Sequence, residues 1–140
     1  MINKDKINIY SVNRKYHLEY EVLYTLECGI ELLGFEVKAF RNRPPSILES
    51  YGFIAHNELF IKNLSCNGLT NHNRNKRLLV HKQQIRKIIG LLNNNIIIPI
   101  ELYEKNGLFK IKIIVGSALK KFDKRAKIRE KEERKYLEHF

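Results

Sequence analysis

From Tyr16 to Leu26 the chain alternates: Leu18, Tyr20, Val22, Tyr24 and Leu26 share one side, while Glu19 and Glu21 take the other. A period of two over so many residues is the mark of a half-buried strand. Cys28-Gly29 interrupts it as a bulge, Ile30–Leu33 continues it, and Gly34 ends it. Phe35–Arg41 then makes a short helix, stopped by Pro44-Pro45. Two further strand pairs follow. Tyr51–Ala55 and Leu59–Leu64 turn at His56-Asn57-Glu58, and Ile96–Tyr103 and Leu108–Val115 turn at Lys105-Asn106-Gly107. Pro99 lacks an N–H to give a ladder, so it marks an edge or a bulge. Between the two pairs, His81–Asn93 carries Ile85, Ile88, Ile89 and Leu92 at helical spacing, with Lys82, Arg86 and Lys87 off the stripe.

These elements predict a mainly β fold with helices (α+β): an OB-like antiparallel β-barrel of about six strands, one short helix and one amphipathic helix. A length of 140 residues suits one such domain. Residues 1–12 read as a flexible arm, 13–119 as the barrel, and 120–140 as a basic tail. The N-terminal residues lack the apolar core of a secretory signal, no run is long enough to span a bilayer, and the two cysteines stand far apart. Together these features predict a cytoplasmic protein with no membrane partner.

The net charge of +11 is unevenly placed. Residues 1–58 sum to −1, whereas residues 59–100 carry seven cations (Lys62, Arg74, Lys76, Arg77, Lys82, Arg86 and Lys87) and no carboxylate. A field of one sign over 42 residues suits a polyanion, and nucleic acid comes first.

Motifs for other chemistry are incomplete. Gly29 and Gly34 have P-loop spacing, but Phe35-Glu36 stands where Lys and Ser/Thr are required. Glu36-Val37-Lys38 resembles half of a metal-dependent nuclease site, yet Asp5 and Asp123 lie in the arm and the tail. Cys66, His72 and His81 match no zinc spacing. A strand cysteine such as Cys28 is ordinarily core. The reading is therefore a protein with no catalytic residue, no metal and no cofactor.

The tail holds Lys120, Lys121, Phe122, Asp123, Lys124 and Arg125, an aromatic among cations, as base stacking and phosphate neutralisation require. Further on, Arg129/Glu133 and Glu130/Arg134 stand at i, i+4 with no apolar stripe. Such a helix is marginal alone, so the tail is expected to be disordered when free.

Several motifs, in order, resemble one family. Asn13-Arg14-Lys15 comes first, then Glu27-Cys28-Gly29-Ile30 with Leu32 and Gly34, and Glu36-Val37-Lys38 with Arg41. Ser50-Tyr51, Arg77–Lys82 with Gly90, Leu102-Tyr103, Lys105-Asn106-Gly107 and Lys120–Arg125 follow. Over residues 13–140 the chain is similar to the SsrA-binding proteins, or small protein B, of bacterial trans-translation. The resemblance implies an OB-like barrel that binds the tRNA-like domain of transfer-messenger RNA and carries it to stalled ribosomes. Elongation factor Tu would be met only through the RNA, and the protein would act as a monomer.

The resemblance also implies that the tail becomes helical in the empty mRNA channel of the ribosome, beside the decoding centre and 16S rRNA. Glu27, Leu79 and Lys110 fall at positions associated with binding transfer-messenger RNA, and Phe122 at the stacking position of the tail. The implied barrel surface adds Asn13, Arg14, Lys15, Lys38, Arg41, Arg77, Lys82 and Lys112; the implied ribosome contacts are Lys120, Lys121, Phe122, Asp123, Lys124 and Arg125. Arg43-Pro44-Pro45 departs from the usual Gly-Lys, Phe40 from the usual Leu, and loop 65–76 and the tail are short. Other ribosome-associated or RNA-chaperone barrels, and more remotely a nuclease, are the competing readings.

Overall fold

The computed structural model describes residues 6–64 and 74–138. In chain order the elements are β1 (Ile7–Val12), α1 (Tyr16–Glu19), β2 (Tyr20–Ile30), α2 (Gly34–Asn42), β3 (Tyr51–Ala55) and β4 (Glu58–Lys62). They continue as β5 (Lys76–Leu79), α3 (Lys82–Leu91), β6 (Ile96–Lys105), β7 (Leu108–Ala118) and α4 (Lys121–Glu138). All pairings are antiparallel, in the order β1-β6-β3-β4-β5-β2-β7, and β7 pairs back onto β6. Six strands therefore close a ring, with part of β6 left without a partner inside it. The expected barrel is present, with β1 added outside the ring.

β1 corrects the reading of residues 7–12 as part of a loose arm; residues 1–5 lie outside the described residues. The bulge at Pro99 shifts the register of β6 on β7, and β3 pairs in the ladder with β6 at Gly52 and Ile97 alone. The edge of β6 from Glu101 to Lys105 is therefore open, and residues 7–12 pair along it. At this β3–β6 ladder pair a Cβ on residue 52 would lie 2.5 Å from Ile97 Cγ2, so only glycine lets these strands pair here. Both turns that join hairpin strands have positive φ, at His56 and Asn57 (52° and 60°) and at Asn106 and Gly107 (51° and 83°). This is the backbone twist that suits two-residue hairpins.

Two local expectations shift. Residues 16–19 form a helical turn instead of continuing the strand, because a turn puts Tyr16 and Tyr20 on one side, where both cover Ile98, Ile100 and Ile114. The bulge of β2 falls between Val22 and Tyr24, while Cys28 and Gly29 keep regular register with Ile111 and Lys110. Cys28 is 1% exposed, and burial pushes its thiol up to about 12, so it is a core residue. Leu26, Cys28, Ile30, Leu59, Ile61, Ile111 and Ile113 fill the barrel, with Phe40 of α2 and Ile88 of α3 packed into the same core.

The tail, expected to be disordered when free, is the continuous helix α4 (Lys121–Glu138). From Arg125 to Lys135 its side chains are exposed or half-buried. Its described links to the barrel include Leu119 N–H to Glu19 O at 2.9 Å and Lys127 Nζ to His17 O at 3.4 Å. No described helix is long and apolar enough to cross a membrane.

Candidate nucleic-acid interface

Pleating sends alternate residues of each strand outward, and the register lines those residues up across the sheet. Leu79 of β5 stands opposite Gly29 of β2, Gly29 opposite Lys110 of β7, and Lys110 opposite Tyr103 of β6. The neighbouring row runs Glu27, Lys112, Glu101 and Val12. Glu27, Leu79, Lys110 and Lys112 therefore share one outer strip although they are scattered over 86 positions of sequence. Val12 leads directly into Asn13-Arg14-Lys15, where the Lys15 N–H donates to Asn13 Oδ1 at 3.2 Å and the Asn13 N–H to Ile100 O at 2.9 Å. That turn holds the exposed Arg14 and Lys15 at the end of the second row.

Leu79 is 52% exposed, an apolar side chain offered to solvent beside cations. A Cβ on residue 29 would sit 3.3 Å from Leu79 Cδ1, so Gly29 is what allows Leu79 to lie close over β2. Arg77, on the outer side of β5 like Leu79, is bound to two acids: Nη2 to Glu31 Oε2 at 2.8 Å and Nη1 to Glu58 Oε1 at 3.1 Å. Among the described residues no ion pair joins Glu27 to Lys110 or Lys112. Glu27 instead accepts a hydrogen bond from the Tyr103 hydroxyl.

Tyr103 was missing from the sequence-derived site. Its only sequence signal is membership of Leu102-Tyr103; the contact with Glu27, 76 positions away, exists through the β2–β7–β6 register alone.

The strip does not collect every expected residue. Arg41 lies at the barrel end that α2 covers, where Nη2 meets Glu104 Oε2 at 2.7 Å and the guanidinium stands 6.0 Å from the Phe109 ring centre. The Tyr10 hydroxyl donates to the same Glu104 at 2.8 Å. The Arg41 hydrogen bond, opposed by burial and reinforced by Tyr10, holds the Glu104 carboxyl below its ordinary range. Lys38 is exposed on α2 and Lys82 on α3, on other elements than the strip.

Glu36, which the sequence places in the short helix Phe35–Arg41, is fully buried. Its Oε1 accepts from the Leu33 N–H at 2.7 Å, capping α2, and from Arg74 Nε at 3.1 Å; Oε2 faces Lys76 Nζ at 3.6 Å. Burial pushes its carboxyl up, but the hydrogen bonds and the two cations outweigh it and hold the group below its ordinary range. Lys76 is itself fully buried, its ammonium donating to Leu64 O and, at 3.1 Å, to Arg74 O. Two of the seven cations in residues 59–100 are thus structural. Cys66 and His72, with most of the loop expected at 65–76, lie outside the described residues, as do the side chains of Lys121, Phe122, Asp123 and Lys124; Lys120 and Arg125 are exposed.

The model of the SmpB protein family matches residues 10–140. This chain belongs to the SmpB family. It is 33% identical to the SsrA-binding protein of Thermosynechococcus vestitus over 144 residues, covering 96% of this chain and 95% of that one. It is 38% identical to the SsrA-binding protein of Thermosipho africanus over 136 residues, covering 90% and 91%. A solved chain from the structure described as "tmRNA-SmpB: a journey to the center of the bacterial ribosome" superposes with a TM-score of 0.63 at 25% identity, covering 88% of this chain and 94% of that one. The fold and the family therefore agree along nearly the whole length.

Proposed function

We propose that this chain binds the tRNA-like domain of transfer-messenger RNA through the outer strip of β5, β2, β7 and β6 and delivers it to stalled ribosomes for trans-translation. The observation that carries this reading is the shared strip itself. In a member of the SmpB family, Leu79, Lys110 and Glu27 come from three different strands and meet on one outer surface. An exposed leucine suits packing on a base or ribose face, two lysines suit phosphates, and a carboxylate accepts from a 2′-hydroxyl or a base amine. Asn13, Arg14 and Lys15 extend the strip toward the backbone of the same RNA.

The protein acts by binding and positioning, as a cytoplasmic monomer without catalytic group or cofactor, and meets elongation factor Tu only through the RNA. The tail enters the empty mRNA channel near the decoding centre and 16S rRNA, with Phe122 stacking on a base and its cations on phosphates.

RNA copurified with the tagged protein from its own cells tests the first half. One structured species of a few hundred nucleotides is expected; a broad mixture of RNAs would replace this reading with that of a general RNA-binding barrel. Truncation after Leu119 tests the second half. It should leave transfer-messenger RNA binding intact and abolish tagging on stalled ribosomes, and full tagging by the truncated chain would remove the tail from the mechanism.

A further inference from the structure

We infer that Tyr103 is a positioning residue of the RNA interface: its hydroxyl holds Glu27 ready to accept from the RNA and keeps that carboxylate from capturing Lys110 and Lys112. The inference rests on the function proposed above and names how its strip is kept competent.

Glu27 is an acid placed among cations that are meant for phosphates. In the antiparallel ladder it stands directly opposite Lys112, with Lys110 one row along. Cross-strand neighbours of opposite charge attract one another. Were they to pair here, the strip would neutralise itself, and binding RNA would first require breaking the pairs. The structure shows a different arrangement, in which Glu27 Oε2 accepts from the Tyr103 hydroxyl and no ion pair to either lysine forms. A neutral donor satisfies one oxygen, leaves Oε1 for a 2′-hydroxyl or base amine, and consumes no cation.

Tyr103 is built for this task. It is 3% exposed on an otherwise solvent-facing row, and its ring is flanked in register by Lys110 on β7 and Ile9 on β1. Its position is therefore set by the sheet and not by a mobile side chain. Burial, then the hydrogen bond to Glu27 and its charge, push the phenol well above its ordinary range, so it stays protonated and donates throughout the physiological pH range. Phenylalanine would keep the ring and lose only this donor.

The test measures binding of a transcript of the tRNA-like domain to four proteins: the parent, Tyr103→Phe, Glu27→Ala and the double variant. Tyr103→Phe should bind about tenfold more weakly, the scale of one hydrogen bond to a charged group. In the Glu27→Ala background the same change should cost nothing further. With Glu27 present, the salt dependence of Tyr103→Phe should also flatten, by roughly 0.7–0.9 in the slope of log K against log salt for each lysine that Glu27 captures. An equal loss in both backgrounds, or no loss at all, overturns the inference by making Tyr103 a packing residue or a bystander. Should Tyr103→Phe unfold, the ring resonance of Tyr103 in carbon-13 tyrosine-labelled protein decides. It should move in Glu27→Ala, and an unchanged resonance overturns the contact. A parent chain that ignores the transcript overturns the proposed function together with this inference; a parent that binds but shows no coupling overturns only the latter.

Discussion

The barrel end covered by α2 and the outer strip carry similar residues to opposite ends. At α2 each of these two acids is held by cations: Glu36 of the helix itself by Arg74 and Lys76, and Glu104 of β6 by Arg41. On the strip Glu27 is held by a neutral phenol, and Lys110 and Lys112 form none of the described ion pairs. The difference teaches how to read charge in a basic protein. A cation matters to a polyanion only if the fold has not already given it a carboxylate. Net charge counts Lys76 and Lys110 alike; the tertiary structure separates them.

The sharpest way to break this comparison is Glu36→Gln. Removing the acid leaves the buried Lys76 ammonium without the Glu36 carboxylate, and breaking such a buried ion pair costs about 3–5 kcal/mol. Urea unfolding should show a loss on that scale, while the folded fraction still binds RNA with parental affinity. A change in affinity without a change in stability would place Glu36 in the interface.

Acid is the next probe. Both Glu36 and Glu104 are held below their ordinary range in the folded state. Their contribution to stability is therefore present above the unfolded-state carboxylate pKa of about 4.3 and is lost as pH falls through the folded values. Unfolding midpoints measured from pH 7 down to pH 3 should fall, and Glu104→Gln should flatten part of that fall. A parental slope in Glu104→Gln would mean that its bonds to Arg41 and Tyr10 add nothing.

The smallest effect sharpens the other side. Lys110→Ala and Lys112→Ala should each leave stability within about 0.5 kcal/mol of the parent, as surface changes do. Each should lower the slope of log K for RNA against log salt by about 0.7–0.9. The same substitution at Arg77, bound to Glu31 and Glu58, should change that slope less. Equal slopes for Arg77→Ala and Lys110→Ala would show that ion pairing within the protein does not withdraw a cation from the RNA.

Much of the fold was legible because it is written locally. The apolar stripe of α3, the turn chemistry at Asn106-Gly107 and the bulge at Pro99 rest on residues a few positions apart, and all are present. β1 was missed since the edge it occupies opens only where the Pro99 bulge and the short β3 leave β6 unpaired. The helical turn at Tyr16 was missed because its reward is an outer-face cluster of Ile98, Ile100 and Ile114, some 80 positions or more away. Glu36 is a carboxylate in a short helix, and nothing in the neighbouring residues announces that Arg74 and Lys76 close over it.

By itself, the sequence determined the strand and helix periods, the places where the chain turns, the basic surplus of residues 59–100, and the ordered motifs that mark the family. These depend on side chains and backbone preferences within a turn or a hairpin, or on composition alone. The tertiary structure decided which cations are taken by carboxylates in the described ion pairs, that Leu79, Lys110 and Glu27 share a strip, and that Tyr103 holds Glu27. Those follow from the register between strands far apart in the chain, where a shift of one residue turns every side chain to the opposite face.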